Sequence, residues 1–305
     1  MPDRVLILFG PTASGKTALL TEAFSAGGAE VVSADSLQVY RKLNIGTAKP
    51  SSALCKILPH HLIDMLEPEE QWTVGDFVKS GYEACQDILK RGKIPIVSGG
   101  SAFYLKHFID GLPAAPPSST TVREELRAEA AHGMEDLLKE LAEVDPVSAR
   151  RIHPNDRYRV LRALEVFRLT QKPLSSYQHT SKKTPFFFVS IGLDMPREEL
   201  YRRINQRCSQ FFDYGLGEEV RALAQAGYSP RNSALKGIGY REFFIETEPG
   251  VFSFTVDQSI EERIALHTRQ YAKRQLTFFK QFAGVQWIPP RLSAFREALT
   301  LLQKK

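Results

Sequence analysis

Short apolar segments alternate with helical patterns along the first hundred residues. Three apolar runs are typical of buried strands: 5–9, 30–33 and 94–97. Helical spacing between them predicts helices over 18–26 and 74–91, the second ending at Gly92. Strands and helices in this order predict βαβ units, and therefore a parallel sheet whose ligands lie outside the carboxyl ends of its strands.

The pattern changes after a turn-rich segment, 111–119 (GLPAAPPSS), which is the best candidate for a linker. Beyond it, apolar spacing predicts one amphipathic helix over 122–143. A second helix begins near Asn155 or Asp156, both favourable N-caps, and runs to Thr170. This part of the chain is therefore expected to be helical.

A further apolar run, 186–193, predicts a buried strand by which the chain returns to the first sheet. The residues that follow, to Leu302, are expected to be mostly helical. We therefore predict two domains in an α/β fold. One is a parallel-sheet core of residues 1–115 and 185–305 with C-terminal helices, and the other is a helical insertion of residues 116–184.

The composition is that of an ordinary globular protein, with 43% apolar and 25% charged residues. No segment approaches the roughly 20 apolar residues that span a bilayer, and the run at 5–9 is too short for a signal peptide. We expect a cytoplasmic protein that makes no membrane contact. Nothing in the sequence resembles an obligate dimer seam, so a monomer is expected. The three cysteines are too far apart to indicate a zinc site or a disulfide framework.

The charge is unevenly distributed along the chain. Residues 1–110 contain 11 basic and 12 acidic side chains, whereas residues 111–305 contain 29 basic and 23 acidic ones. A basic excess in the later two thirds favours a polyanionic partner. The imbalance alone is weak evidence, because many soluble proteins show it.

A phosphate-binding motif follows the first predicted strand. It consists of Gly10, Pro11, Thr12, Ala13, Ser14, Gly15, Lys16 and Thr17, which satisfy G-x-x-x-x-G-K-[ST] between a strand and a helix. In such a P-loop, backbone N–H groups and the helix N-terminus point at phosphate oxygens. Lys16 adds a positive charge, and the Thr17 hydroxyl is placed to bind Mg²⁺. The motif predicts a polyphosphate ligand but does not identify it.

Asp35 directly follows the second strand, beside the phosphate loop. Its position is compatible with three roles: holding Mg²⁺ through water, acting as a general base on a substrate, or capping a helix. Position in the sequence does not decide among them.

Several segments resemble the sequence signature of tRNA dimethylallyltransferases, also called tRNA isopentenyltransferases. They are 35–40 (DSLQVY), 44–50 (NIGTAKP), 59–64 (PHHLID), 99–104 (GGSAFY), 151–156 (RIHPND), 162–165 (RALE), 237–240 (GIGY) and 272–277 (AKRQLT). The resemblance extends from Gly10 to about Trp287 and is to the bacterial type. Two departures are Ser101, where the family commonly has threonine, and Phe278, where it commonly has tryptophan.

The resemblance implies transfer of a dimethylallyl group from dimethylallyl diphosphate to N6 of the adenosine 3′-adjacent to the anticodon, position 37 of tRNA. It implies that the phosphate loop grips the diphosphate with Mg²⁺ and that diphosphate is released. It further implies that Asp35 accepts the N6 proton and that Arg221 reaches the diphosphate. The implied catalytic residues are therefore Asp35, Thr17, Arg221 and Lys16.

The resemblance also implies contact with the anticodon stem-loop of tRNA. The expected tRNA-binding residues are Asp35, Ser36, Leu37, Gln38, Ser101, Arg123, Arg159, Arg162, Gly239, Tyr240, Arg241, Lys273 and Arg274. Arg159 and Arg162 share one helix face by spacing, as do Arg269, Lys273 and Lys280, although Leu276 lies in the second stripe. Two alternative functions remain open, a small-molecule P-loop kinase and an RNA-binding NTPase.

Overall fold

A computed structural model describes residues 3–177 and 184–303. The strands are β1 (Arg4–Phe9), β2 (Ala29–Ser33), β3 (His60–His61), β4 (Ile94–Gly99), β5 (Phe187–Leu193), β6 (Phe244–Glu248), β7 (Val251–Phe254) and β8 (Gln286–Ile288). The helices are α1 (Lys16–Ala23), α2 (Ser52–Ile57), α3 (Val74–Lys90), α4 (Ala102–Asp110), α5 (Thr120–His132), α6 (Glu135–Val144), α7 (Pro146–Arg151), α8 (Arg157–Thr170), α9 (Arg197–Asp213), α10 (Leu216–Gln225), α11 (Ile260–Phe279) and α12 (Leu292–Gln303).

A six-stranded parallel sheet organises the α/β core, in the order β3-β2-β4-β1-β5-β8. The central strand β1 pairs with β4 and β5 in parallel, so that Leu6 lies opposite both Ile96 and Val189. This arrangement confirms the predicted fold class, an α/β protein with a parallel sheet. Because β1, β2 and β4 end beside one another, the segments that follow them meet at one edge of the sheet.

Burial explains why the predicted strands form. Residues 5–9 of β1 are all buried, and β2 is buried along its whole length, as expected of a sheet covered on both faces. The helix α3 begins at a capping box, in which Thr73 accepts from the Asp76 N–H and the Asp76 carboxylate accepts from the Thr73 N–H. Gly92 lies two residues after the end of α3 and has a φ of +70°. Residues with a side chain rarely adopt this backbone conformation.

The chain divides into two compact units, Met1–Ile109 with Pro185–Lys305 and Asp110–Thr184. The second unit begins six residues before the predicted boundary at 116. Its helices α5, α6 and α8 bury an apolar core of Leu126, Leu137, Leu141, Val160 and Leu164. In the same unit the buried Glu165 carboxylate accepts from the Ser118 hydroxyl and the Ser119 N–H, both at 2.7 Å.

The prediction of one helix over 122–143 is wrong. Gly133, at φ +139°, ends α5, and α6 begins at Glu135 with two acidic side chains in its first turn. An apolar stripe continues across the break, which is why periodicity alone predicted one helix.

A short hairpin and a short edge strand also depart from the expectation that the C-terminal part is mostly helical. The strands β6 and β7 form an antiparallel hairpin, and β8 adds an edge strand to the main sheet beside β5. Each has five residues or fewer, too short for a clear alternation of apolar and polar positions.

Membrane-spanning segments were not expected from the composition. Among residues 3–177 and 184–303, no helix combines the length and the apolar content needed to cross a membrane.

Candidate active site at the phosphate loop

The loop between β1 and α1 forms a cradle of backbone groups. Gly15 is the N-cap of α1 at φ +89°, a conformation that favours glycine. The Lys16 Nζ donates hydrogen bonds of 2.9 Å to the carbonyls of Gly10 and Pro11. The Ser14 Oγ is buried and has no hydrogen-bond partner among residues 3–177 and 184–303. A buried polar atom without a partner beside the N-terminus of an eight-residue helix is what an anion-binding loop requires.

The charge of Lys16 is sensitive to this environment. Burial lowers the pKa of its ammonium to about 7; the nearby Arg207 guanidinium acts in the same direction, and the Asp35 carboxylate opposes both. Lys16 therefore lies between a cation and an anion in the same cavity, and its protonation responds to any further negative charge that enters.

Two arginines on α9 face the loop, one helical turn apart. The Arg207 Nη1 donates to the Thr12 Oγ1 at 3.3 Å, and burial lowers the pKa of this guanidinium while Asp35 raises it. The Arg203 Nε donates to Glu199 at 2.7 Å, and its Nη1 lies 3.6 Å from where a Cβ on Gly15 would stand. Both arginines line the same cavity as Lys16. Sequence reasoning missed them, and their spacing of four in an amphipathic segment was the available signal.

The structure contradicts the predicted role of Arg221. This residue lies exposed on α10, with its guanidinium carbon 5.9 Å from the centre of the Phe254 ring, and it lines neither of the two cavities beside the loop. The face of α9, and not that of α10, is the one turned towards the phosphate loop. Arg207 lines the loop cavity, and Arg221 does not.

Asp35 lies at the carboxyl end of β2 and closes a turn. Its Oδ1 accepts from the backbone N–H groups of Leu37 at 2.9 Å and Gln38 at 3.3 Å. The same side chain lines two cavities, of about 610 and 410 Å³, which we call the loop cavity and the neighbouring cavity. Asp35 thus combines local capping with a position in the wall that both cavities share.

The two cavities differ in their remaining walls. The phosphate-loop residues Thr12 and Ala13 line both cavities, whereas Gly15, Lys16, Thr17 and Gln38 line the loop cavity alone. The neighbouring cavity holds Ser36, Leu37, Ser101, Gly239, Arg241 and Arg274. The structure therefore brings together most residues predicted for the diphosphate around the first cavity, and many of those predicted for tRNA around the second.

Residues 47–49 line the loop cavity, and the segment 44–49 that contains them is fixed by two side chains. The Gln38 Nε2 donates to the Thr47 carbonyl at 3.1 Å. The Glu219 carboxylate accepts from the consecutive N–H groups of Asn44, Ile45 and Gly46, at distances from 2.9 to 3.4 Å. A carboxylate that receives three backbone donors holds this wall in place.

The predicted contact of Tyr240 with tRNA is contradicted by its burial. The side chain is fully enclosed, its hydroxyl donates to the Glu219 Oε1 at 2.7 Å, and its ring lies 2.7 Å from where a Cβ on Gly46 would stand. Burial and the Glu219 carboxylate raise the pKa of this phenol well above its usual value. Tyr240 belongs to the core that supports the cavity wall.

Basic residues predicted to contact tRNA fall into two groups. In the second unit, Arg162 donates to Glu165 at 2.8 Å and Arg123 donates to the same carboxylate at 3.4 Å. Burial alone would raise the pKa of Glu165, but hydrogen bonds, chiefly from Arg162, lower it overall. The Arg159 side chain is 73% exposed and pairs with Asp156, three residues before it in the sequence. Arg123 and Arg162 therefore have a structural role, whereas Arg159 presents its charge to solvent.

On α11 the exposed basic residues are Lys273 and Arg274, and Lys280 is exposed just after the helix ends, while Arg269 donates to Asn205. Leu276, in the same stripe, packs against the apolar core. Arg274 lines the neighbouring cavity, and its guanidinium carbon lies 5.9 Å from the centre of the Tyr271 ring. Arg274 therefore places a positive charge at the neighbouring cavity, whereas Lys273 and Lys280 are exposed and do not line it.

The residues at the loop also fit a magnesium ion bound with a diphosphate. The described residues contain no cluster of three or more His, Cys, Asp or Glu side chains around a common metal position. The exposed Thr17 hydroxyl at the start of α1 lines the loop cavity with Asp35. A cation with few protein ligands, completed by phosphate oxygens and water, is the usual manner of binding Mg²⁺.

Comparison with known families and relatives gives one consistent result. The family profile described as IPP transferase matches residues 38–282, and that described as Isopentenyl transferase matches residues 3–63. A tRNA dimethylallyltransferase of Geobacter sulfurreducens is 43% identical over 288 residues, which cover 93% of this chain and 91% of the relative. One from Pelotomaculum thermopropionicum is 38% identical over 94% of this chain and 90% of its own length.

Solved structures agree in fold. The tRNA isopentenylpyrophosphate transferase of Bacillus halodurans superposes with a TM-score of 0.71 and 32% identity, over 99% of this chain and 96% of that one. A eukaryotic dimethylallyltransferase acting on tRNA gives a TM-score of 0.78 and 25% identity, over 99% of this chain and 77% of that one.

Proposed function

We infer the activity from a premise that the comparisons establish: the chain belongs to the IPP transferase family. It is a transferase that moves a dimethylallyl group onto tRNA. We propose that the donor is dimethylallyl diphosphate and that the acceptor is N6 of adenosine 37, beside the anticodon. The observation that carries this proposal is the place of Asp35 in the wall shared by the two cavities.

The loop cavity supports the donor half of the reaction. When the allylic C–O bond breaks, the departing diphosphate gains negative charge, and fixed positive groups at that position lower the barrier. Lys16, Arg207 and the backbone N–H groups at the start of α1 supply such charge. A bound Mg²⁺, held by Thr17 and phosphate oxygens, would supply further charge neutralisation.

The neighbouring cavity supports the acceptor half. An adenosine in an anticodon loop must leave its stack before its exocyclic amine can enter a protein cavity. As N6 attacks the allylic carbon, a bond forms between nitrogen and carbon, the carbon–oxygen bond to diphosphate breaks, and N6 loses one proton. Asp35, which borders both cavities, is the carboxylate placed to accept that proton.

We propose that exposed basic residues bind the phosphates of the anticodon stem-loop. The candidates are Arg159, Arg241, Lys273 and Arg274, each with a side chain accessible to solvent. Contacts of this kind position RNA without reading its sequence. We further propose that the enzyme works as a monomer in the cytoplasm, where such a tRNA is available.

A single assay distinguishes this function from a kinase or an NTPase. Purified protein is incubated with Mg²⁺, unmodified tRNA and dimethylallyl diphosphate labelled in the alkyl group, and label retained on tRNA is counted. We expect transfer to tRNA, and none when adenosine 37 is replaced by guanosine. Label on a free hydroxyl compound with ATP as donor would indicate a kinase. ATP hydrolysis stimulated by RNA, with no transfer, would indicate an NTPase.

A further inference from the structure

The side chain of Gln275 joins two segments that are far apart in the sequence. Its Oε1 accepts from the backbone N–H of Thr12 at 3.0 Å, and its Nε2 donates to the Gly100 carbonyl at 2.7 Å. Gln275 lies on α11 and is 3% exposed. One buried amide therefore ties the phosphate loop to the turn that follows β4.

The two ends of this bridge belong to different halves of the site. Thr12 is part of the phosphate loop, and its hydroxyl also accepts from Arg207. Gly100 precedes Ser101, whose Oγ accepts at 3.2 Å from the N–H of Ser36, the residue after Asp35. The bridge thus runs from the donor side of the site to the strand end that carries the carboxylate.

The surroundings leave little freedom for the amide. A Cβ on Gly100 would lie 2.4 Å from the Gln275 Nε2, so this glycine is required for the close approach. Both polar ends of the amide have partners, and a flipped amide would set donor against donor and acceptor against acceptor. Movement of either segment away from the amide costs free energy, because a buried polar atom would lose its hydrogen-bond partner.

We propose that Gln275 is a positioning residue that fixes the phosphate loop against the Gly100–Ser101 turn and so sets the distance between donor and acceptor. The inference rests on the proposed function, because the neighbouring cavity is taken as the acceptor side. Gln275 itself takes no part in bond making. A displacement of about 1 Å in such an arrangement lowers a rate about 10²-fold.

The test compares Gln275→Leu with wild type in single-turnover transfer from dimethylallyl diphosphate to tRNA. We expect a rate about 10²-fold lower, with much smaller changes in the dissociation constants of pyrophosphate and of tRNA measured separately. Gln225→Leu, the same substitution at an exposed position of α10, is the matched control and should keep the wild-type rate. A wild-type rate in folded Gln275→Leu would overturn the inference.

A second variant, Gln275→Glu, gives a readout that a purely structural role would not produce. A protonated carboxyl can accept from Thr12 and donate to Gly100, whereas a carboxylate can only accept. Burial beside a carbonyl oxygen raises the pKa of such a carboxyl. The loop cavity that Gln275 lines also contains the titratable or charged groups of Tyr271, Lys16, Asp35, Arg203 and Arg207. Tyr271 stays neutral because burial raises its pKa to about 12, and the pH response of the other groups is also present in wild type.

We therefore expect the rate of Gln275→Glu, divided by that of wild type at each pH, to rise as the pH falls from 8.5 to 6. A ratio that does not change with pH, in a variant whose melting curve shows it folded, would overturn the inference. Absence of transfer by wild type would instead count against the proposed function, so the two failures are distinguishable.

Discussion

The hydroxyl of Tyr240 donates to the Glu219 carboxylate at 2.7 Å, and this pair holds the wall of the loop cavity from behind. Glu219 at the same time receives the N–H groups of residues 44–46. Neither side chain lines the loop cavity. The segment that supports the cavity wall is thus held by a partly buried hydrogen-bond network.

This relationship predicts that Glu219→Gln destabilises the protein. The amide group would present its own donors to partly buried backbone N–H groups and leave them unsatisfied, and we expect a loss of about 2 kcal/mol. Tyr240→Phe removes one hydrogen bond but keeps the ring against Gly46, so its cost should be about 1 kcal/mol. Urea denaturation measures both values. Glu218→Gln, at the exposed neighbouring position, is the control, and an equal loss there would contradict the prediction.

The positions of Arg207 and Arg221 lead to opposite expectations. Arg207→Gln removes a guanidinium from the loop cavity, and we expect kcat/KM for dimethylallyl diphosphate to fall about 10²–10³-fold, as for loss of one stabilising donor. Arg221→Gln, far from both cavities, should leave kcat/KM unchanged. Steady-state kinetics at saturating tRNA checks both. A large fall in kcat/KM in Arg221→Gln, with none in Arg207→Gln, would support the sequence-based prediction that Arg221 reaches the diphosphate.

Proton uptake should accompany binding of the donor. In the protein without ligand, the Lys16 ammonium has a pKa of about 7. The group is therefore mostly protonated below pH 7 and loses its proton as the pH rises above 7. A bound diphosphate favours the protonated form and raises that pKa. The dissociation constant for pyrophosphate should therefore rise by up to about tenfold per pH unit above 7.

Calorimetry at pH 8, in two buffers with different heats of ionisation, measures this uptake directly. Lys16→Met should bind pyrophosphate more weakly and take up fewer protons than wild type. If the variant shows the same buffer dependence, the proton comes from another group, and the assignment to Lys16 fails.

Asp35→Asn separates the general-base role from a metal-binding role. The amide keeps size and the turn hydrogen bonds to Leu37 and Gln38, but it cannot accept the N6 proton. We expect single-turnover transfer to fall about 10²–10⁴-fold, while dimethylallyl diphosphate still binds. The rate is measured across a Mg²⁺ titration. Recovery at high Mg²⁺ would show that Asp35 acts by holding the metal.

Neutralising exposed basic residues should weaken tRNA binding, whereas neutralising an arginine paired with a buried carboxylate should lower stability. Replacing Lys273 and Arg274 by Gln removes two exposed charges, and the slope of log K against log salt for tRNA should become shallower by about 1.5 units. Arg162→Gln breaks a pair with the buried Glu165 and should lower stability instead, with little change in the salt slope. Filter binding over a salt range and thermal melting provide the two readouts. An unchanged slope in the double variant would exclude these phosphate contacts.

Local features of the site were predictable from the sequence because each depends on neighbouring residues. The phosphate loop follows a buried strand, and Asp35 lies two residues after the end of the next one. Since parallel strands end at one edge of the sheet, their loops meet. The order of strands and helices predicts the parallel sheet, and the sheet in turn predicts that these loops lie close together.

The residues that sequence reasoning missed depend on contacts across long separations. Arg207 meets Thr12 across 195 positions, and Gln275 meets it across 263. Which faces of α9 and α11 pack against the loop is decided by the apolar core, and no local motif specifies it. Tyr240 was mistaken for a surface residue for the same reason, because its segment matched a family signature but its burial depends on Gly46.

The common wall of the two cavities has a consequence for inhibition. Asp35, Thr12 and Arg207 face both spaces, so a single molecule that joins an adenine-like group to a diphosphate mimic would occupy them together. Once one end is bound, the other is presented at a high effective concentration, and the joined compound should bind far more tightly than either fragment. The length of the spacer would then measure, in solution, the separation that the enzyme maintains between its two substrates.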